Sequence, residues 1–150
     1  FLPGALVSLW PTGHNGLVNE TDSAAKAPGV RARVRAELTA GIKASARRQL
    51  AEDGATSLSL RAIAREMDMA SSAIYRYFAS RDDLLTALIV DAYESVGLVV
   101  EQANAGQSQS DYRGRFIAIG RSVRVWAQAN PHEYALIYGS PVPGYAAPKD

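Results

Sequence analysis

Two adjacent serines, Ser71 and Ser72, are followed by Tyr75 and Tyr77, with Arg61, Arg76 and Arg81 close by in the chain. These are hydroxyl and guanidinium groups, suited to holding an anionic polymer. Short hydroxyls can donate to or accept from base edges, while phenols and guanidinium groups bond phosphate oxygens. The parts for catalysis are missing. With no cysteine in the chain, thiolate nucleophiles, disulfides and thiolate metal sites are excluded. The two histidines, His14 and His132, cannot build a zinc site alone. There is no glycine-rich phosphate loop, and no His–Asp–Ser arrangement that the spacing supports. Asp82 and Asp83 sit at a helix start, where capping explains them without chemistry. The chain is therefore expected to be no enzyme and to need no metal or cofactor.

Charge singles out the same region. Of 150 residues, 16 are Lys or Arg and 15 Asp or Glu, so the whole chain is near neutral. Between residues 31 and 83 there are ten basic and seven acidic residues, net +3, whereas residues 1–30 and 84–150 are each net −1. Cysteine absence fits a reducing cytoplasm. The apolar stretch Phe1–Trp10 is about half a membrane span long and contains Pro and Gly. It has no basic segment before it, so neither a membrane partner nor a signal peptide is expected.

The elements that would position these groups are helical. Residues 1–30, rich in Gly, Pro, Asn, Ser and Ala, are read as an irregular arm. From Arg31, the residues Val34, Leu38, Ile42, Ala46 and Leu50 form one apolar stripe, with Arg31, Arg35, Lys43 and Arg47 on the opposite, solvent side. Gly41 within this helix suggests a close helix contact, and Gly54 ends it. Ser59, a candidate DNA contact, also caps the run Leu60–Met67. Ser71–Phe78 reads as a second short helix with Ile74 and Phe78 inward. Ser80, with Asp83 three residues later, caps the next helix, whose buried side is Leu84, Leu85, Leu88, Ile89, Ala92 and Val96. After a loop over 103–111, a helix from Tyr112 to Ala129 should bury Tyr112, Phe116, Ile119, Val123 and Trp126. Asn130, Pro131 and Glu133 start a last helix that stops at Gly139. No alternating strand pattern occurs, so the fold class is all-α.

Two short helices joined by a tight turn, between longer helices, make a helix-turn-helix: the first packs across the second, which offers small polar side chains to the major groove. Periodicity alone leaves a plain helical hairpin with solvated charges open. Arg31, Arg33 and Arg35 are divided between phosphate contact and solvated charge.

The block Gly54–Ala64, continued through Met69–Leu85, resembles the TetR-type transcriptional regulators, and with the preceding helix the resemblance covers residues 31–92. It implies a DNA-binding head, a helical effector-binding domain that takes a small molecule, and a homodimer on palindromic operator DNA. It matches Ile63 and Ala64 to a core pair, Tyr75 to a phosphate-binding tyrosine, Tyr77 to a backbone-contacting position often His, Phe78 to a core aromatic, and Arg81 to a phosphate-contacting base. Ala70 replaces the usual capping Ser or Thr, which leaves Ser71 to cap and Ser72 to face the bases. Asp68 stands where Gly is frequent, implying a left-handed residue. Ala129–Tyr145 resembles a segment of one actinobacterial-type branch.

Read this way, residues 31–83 are the double-stranded-DNA-binding head and 84–150 the effector and dimerisation domain. Asp150 comes before the last helices that usually form the family's dimer interface, so the domain is expected to be incomplete here. Tyr93, Phe116, Trp126, Tyr134 and Tyr138 are candidate ligand-lining residues, against the ordinary reading of each as helix–helix core. The function read from the chain is a ligand-responsive cytoplasmic regulator, most simply a repressor. The alternative is a helical interaction or dimerisation module that does not bind DNA.

Overall fold

The computed structural model describes residues 29–148. The arm read over residues 1–30 lies outside that range except for Gly29 and Val30. Five α-helices follow in order: α1 (Val30–Asp53), α2 (Leu60–Glu66), α3 (Arg81–Ala105), α4 (Tyr112–Ala129) and α5 (Pro131–Tyr138). Two 3-10 turns, Ala55–Ser57 and Ile74–Arg76, stand on either side of α2. The fold is all-α.

The helix ends follow local chemistry. Gly54 takes a φ of 79°, a left-handed value that stops α1 and bonds its N–H to the Leu50 carbonyl. The Ser59 and Ser80 hydroxyls accept from Ala62 N and Asp83 N, capping α2 and α3. The Asp111 carboxylate accepts from Gly114 N at the start of α4. Asn130 makes no side-chain cap for α5. Its amide instead donates back to the Trp126 carbonyl at 3.0 Å, so it closes α4.

One core gathers Ile42, Ala46 and Leu50 of α1, Leu58, Leu60, Ile63 and Ala64 around α2, Ile74 and Phe78 of the second turn, and Leu84, Leu85 and Leu88 of α3. Each large buried side chain contributes about 2 kcal/mol of transfer free energy. Gly41 leaves room for the tip of Met67: a Cβ there would stand 2.9 Å from Met67 Cε, a flexible end that could move aside. Leu136, Val142 and Tyr145 close over this core from the far end of the chain. The Tyr145 hydroxyl lies 3.0 Å from that of Thr86 on α3.

Three packing expectations are corrected. Val34 is 47% exposed because the first turns of α1 extend past the core. Tyr112 and Phe116 are 77% and 79% exposed. Burial along their stripe falls away toward the start of α4, at the tip of the α3–α4 hairpin. Lys43 and Arg47 do not point into solvent. Lys43 Nζ meets Asp91 at 2.6 Å, and Arg47 bridges Asp91 at 2.7 Å and Glu133 at 2.8 Å, joining α1 to α3 and α5.

Candidate nucleic-acid interface

The stretch from Ser59 to Arg81 begins with a braced helix. Ser59 caps α2, and its own N–H donates to Gln49 Oε1 at 3.1 Å, tying α2 to α1. Across the helix pair, the fully buried Ser45 hydroxyl and Arg48 both donate to Glu66. These bonds, Ser45 first and then Arg48, hold the Glu66 carboxyl below its ordinary value. Leu60, Ile63 and Ala64 face the core. Arg61 and Arg65, four residues apart and therefore on one helix face, are exposed and form no ion pair among the described residues. Arg65 was not among the residues singled out from the sequence. Its spacing from Arg61 was the signal.

The chain then reverses at Asp68, whose φ of 52° is left-handed. Met69 N bonds back to the Ala64 carbonyl at 2.8 Å and closes α2.

The second short element is not the α-helix expected over Ser71–Phe78. It is a succession of turns: Ala73 N bonds the Ala70 carbonyl at 2.8 Å, Arg76 N that of Ala73 at 3.2 Å, and Tyr77 N that of Ile74 at 2.9 Å. The cause is length and composition. Ala70 offers no capping oxygen, and a nucleus this short has too few bonds to sustain a regular helix. The first turn already opens at Ala70, and Ser71 makes no capping bond. That corrects the division of labour between the serines: both are exposed and both hydroxyls are uncommitted. Ile74, fully buried, and Phe78 anchor the turn, which leaves Tyr75 44% exposed and the Arg76 side chain outward.

The remaining candidates divide. Tyr77 is half-buried beneath Arg35, whose Cζ lies 5.2 Å from the ring centroid. Arg31 and Arg33 are exposed on the first turns of α1. An i,i+2 spacing puts Arg33 on a different face from Arg31 and Arg35, so the three do not form one cluster. Arg81 turns inward, donating to the Ala55 carbonyl at 2.8 Å and pairing with Asp82 at 3.3 Å. Its first task is to close the Ala55–Ser57 turn.

The ligand-lining candidates fall into separate places. Tyr93, Tyr134 and Tyr138 meet between α3 and α5, with ring centroids 6.4 Å apart for Tyr93–Tyr138 and 5.2 Å for Tyr134–Tyr138. Trp126 is buried, donates its indole N–H to Ser95 Oγ at 2.8 Å, and edges an open groove of about 670 Å³ shared with Val99, Ala103 and Val125. Phe116 joins neither group. No helix among the described residues is long and apolar enough to cross a membrane.

Comparison with known proteins agrees with this arrangement. Residues 42–88 match the profile of bacterial regulatory proteins of the tetR family, and residues 116–150 that of the tetracyclin repressor-like C-terminal domain. The two spans together exceed half of the chain. The HTH-type transcriptional regulators Mb1846 of Mycobacterium bovis and Rv1816 of Mycobacterium tuberculosis are each 51% identical over 122 residues, 81% of this chain and 52% of theirs. The crystal structure of SCO4313, described as a regulatory protein, superposes with a TM-score of 0.72 at 42% identity, over 80% of this chain and 56% of that one. The chain thus spans about half the length of the curated relatives it matches. With a helix-turn-helix head in place and helical segments of the matching second domain behind it, the chain belongs to the TetR family of transcriptional regulators.

Proposed function

We propose that this chain carries the operator-binding head and part of the effector domain of a ligand-responsive cytoplasmic repressor, one that binds palindromic DNA as a homodimer. The head spans residues 31–83 and the second domain residues 84–150. One observation carries the reading. A short turn locked to the core by Ile74 and Phe78 exposes Ser71, Ser72 and Tyr75, and the preceding helix α2 exposes Arg61 and Arg65, which form no ion pair among the described residues. Ser71 and Ser72 read base edges. Tyr75, Tyr77, Arg61 and Arg76 hold phosphates, joined by Arg31 and Arg33 from α1. Ser59 and Arg81 serve the interface by fixing its ends.

The effector is a small molecule held by the second domain, at the Trp126 groove or at the tyrosine cluster. Its effect reaches the head through Arg47, which bridges α1 to Asp91 and Glu133. Such a ligand relieves repression by binding the arrangement that cannot engage DNA more tightly than the one that can.

Selection of bound duplexes from a random library tests the reading. The chain should enrich one motif. Tyr75→Phe should then weaken binding to the enriched and to a scrambled duplex by similar factors, since phosphate contacts carry little sequence information. A chain that enriches nothing and binds neither duplex, even with two copies joined by a flexible linker, would instead be a helical interaction module.

A further inference from the structure

Arg35 lies on α1, 41 positions before Arg76, yet its guanidinium is bonded to the recognition turn. Its Nη2 donates to the Arg76 carbonyl at 3.0 Å, and its Cζ stands 5.2 Å from the centre of the Tyr77 ring. The Arg76 carbonyl closes the 3-10 turn, at the end where backbone oxygens lack partners within their own helix. The turn has three residues and no side-chain cap. Among the described residues, Arg35 makes the one side-chain hydrogen bond that reaches this turn from another element. Ile74 and Phe78 fix the depth of the turn in the core, while Arg35 fixes its outer end.

We infer that Arg35 is a positioning residue for sequence recognition, an inference that rests on the DNA-binding reading above. It sets the angle at which Ser71 and Ser72 meet the bases and Tyr75 meets the phosphates. A carbonyl and a ring face satisfy the guanidinium without neutralising it, in contrast to Arg47 and Arg48, which are paired with carboxylates. The charge of Arg35 therefore still adds to the field that attracts phosphate. Loss of the clamp and loss of the charge are separable.

The full chain supplies the probes: the duplex that it enriches from a random library, and a scrambled duplex of the same composition. Arg35→Lys keeps the charge but loses the planar fork. It should lower the ratio of enriched to scrambled affinity by up to about tenfold, the loss expected for one net hydrogen bond and for the stacking of a planar guanidinium on the Tyr77 ring. The slope of log affinity against log salt should stay as in the unaltered chain. Arg35→Met should lower the same ratio. Adding Tyr77→Leu to it should change the ratio little further, because the two residues act as a unit. Without DNA, the amides of residues 74–77 should exchange faster in both Arg35 variants, while α2 amides stay unchanged.

The inference is overturned if Arg35→Lys binds both duplexes as the unaltered chain does, while Arg35→Met weakens both equally and flattens the salt slope by about 0.9, the mark of a single phosphate contact. Unchanged exchange at residues 74–77 overturns it as well. If the unaltered chain enriches no sequence, even with two copies joined by a flexible linker, the DNA-binding reading fails and the recognition role with it, even where amide exchange still reveals the clamp.

Discussion

The head and the region behind it bury their apolar residues to very different degrees. In the head Ile42, Ile63 and Ile74 are fully buried, and they share one core with Leu84 and Leu85 from the start of the second region. Beyond Leu88, burial is reached among the described residues only by Ala92, Val96 and Trp126. Val90, Tyr93, Leu98, Tyr112, Phe116, Val125, Tyr134 and Tyr138 stay substantially exposed on α3, α4 and α5. The head buries most of its large apolar side chains in one core, which Leu136, Val142 and Tyr145 help to cover, and leaves Val30 and Val34 exposed on the first turns of α1. The second region is a hairpin with one helix laid across it, and its apolar surface is what an interaction or ligand site offers. The two are joined by the ion pairs of Lys43 and Arg47 and by Tyr145, which packs against the core.

The largest effect should come from setting the two regions against each other. Ile63→Ala should cost about 3 kcal/mol of unfolding free energy, through lost transfer energy and the cavity left behind. Phe116→Ala, a larger deletion on an exposed position, should stay within about 0.5 kcal/mol. Urea unfolding of both variants checks this, and equal losses would erase the contrast between closed head and open hairpin.

A smaller effect separates the serines. Ser59→Ala should cost about 1 kcal/mol because α2 loses its cap. Ser71→Ala should change stability by less than about 0.5 kcal/mol, as an exposed hydroxyl without a partner. Thermal melts decide between them. A Ser71→Ala loss as large as that of Ser59→Ala would mean that Ser71 caps the recognition turn after all.

The smallest concerns pH. In the folded chain the Glu66 carboxyl titrates below its ordinary value of 4.5. Its contribution is therefore fully present above the ordinary carboxylate range and is lost as pH falls through the depressed folded value. The stability difference between the unaltered chain and Glu66→Gln should be constant near neutrality and narrow in acid. A difference that grows as pH falls would contradict the bonds from Ser45 and Arg48.

How much of this was legible depended on whether the cause was local. Gly54, Ser59, Ser80 and Gly139 mark helix ends because capping and left-handed backbone are decided within a few residues. Asp68 was readable as left-handed only through the resemblance, which sets it where Gly is frequent. Periodicity also grouped Tyr112, Phe116 and Trp126 on one stripe. It could not say which neighbour covers the stripe, and coverage fails at the hairpin tip. The same limit hid the partners of Lys43 and Arg47: a polar face looks alike toward water or toward Asp91 and Glu133. Arg81 was read as a phosphate ligand, and Arg35 as either a phosphate contact or a solvated charge. Their bonds to the carbonyls of Ala55 and Arg76 span 26 and 41 positions, beyond the reach of local pattern. The recognition turn was located correctly, but its type depended on a missing cap and marginal length.

The central claim is that DNA meets the closed head, at the turn around Ser71–Tyr77. Amide chemical shifts of the chain, titrated with its enriched duplex, test it most directly. The account predicts that the large shifts fall at residues 59–77 and on the first turns of α1, with α4 and α5 nearly silent. Shifts centred on the exposed face of α4, or none in the head at saturating duplex, would contradict it.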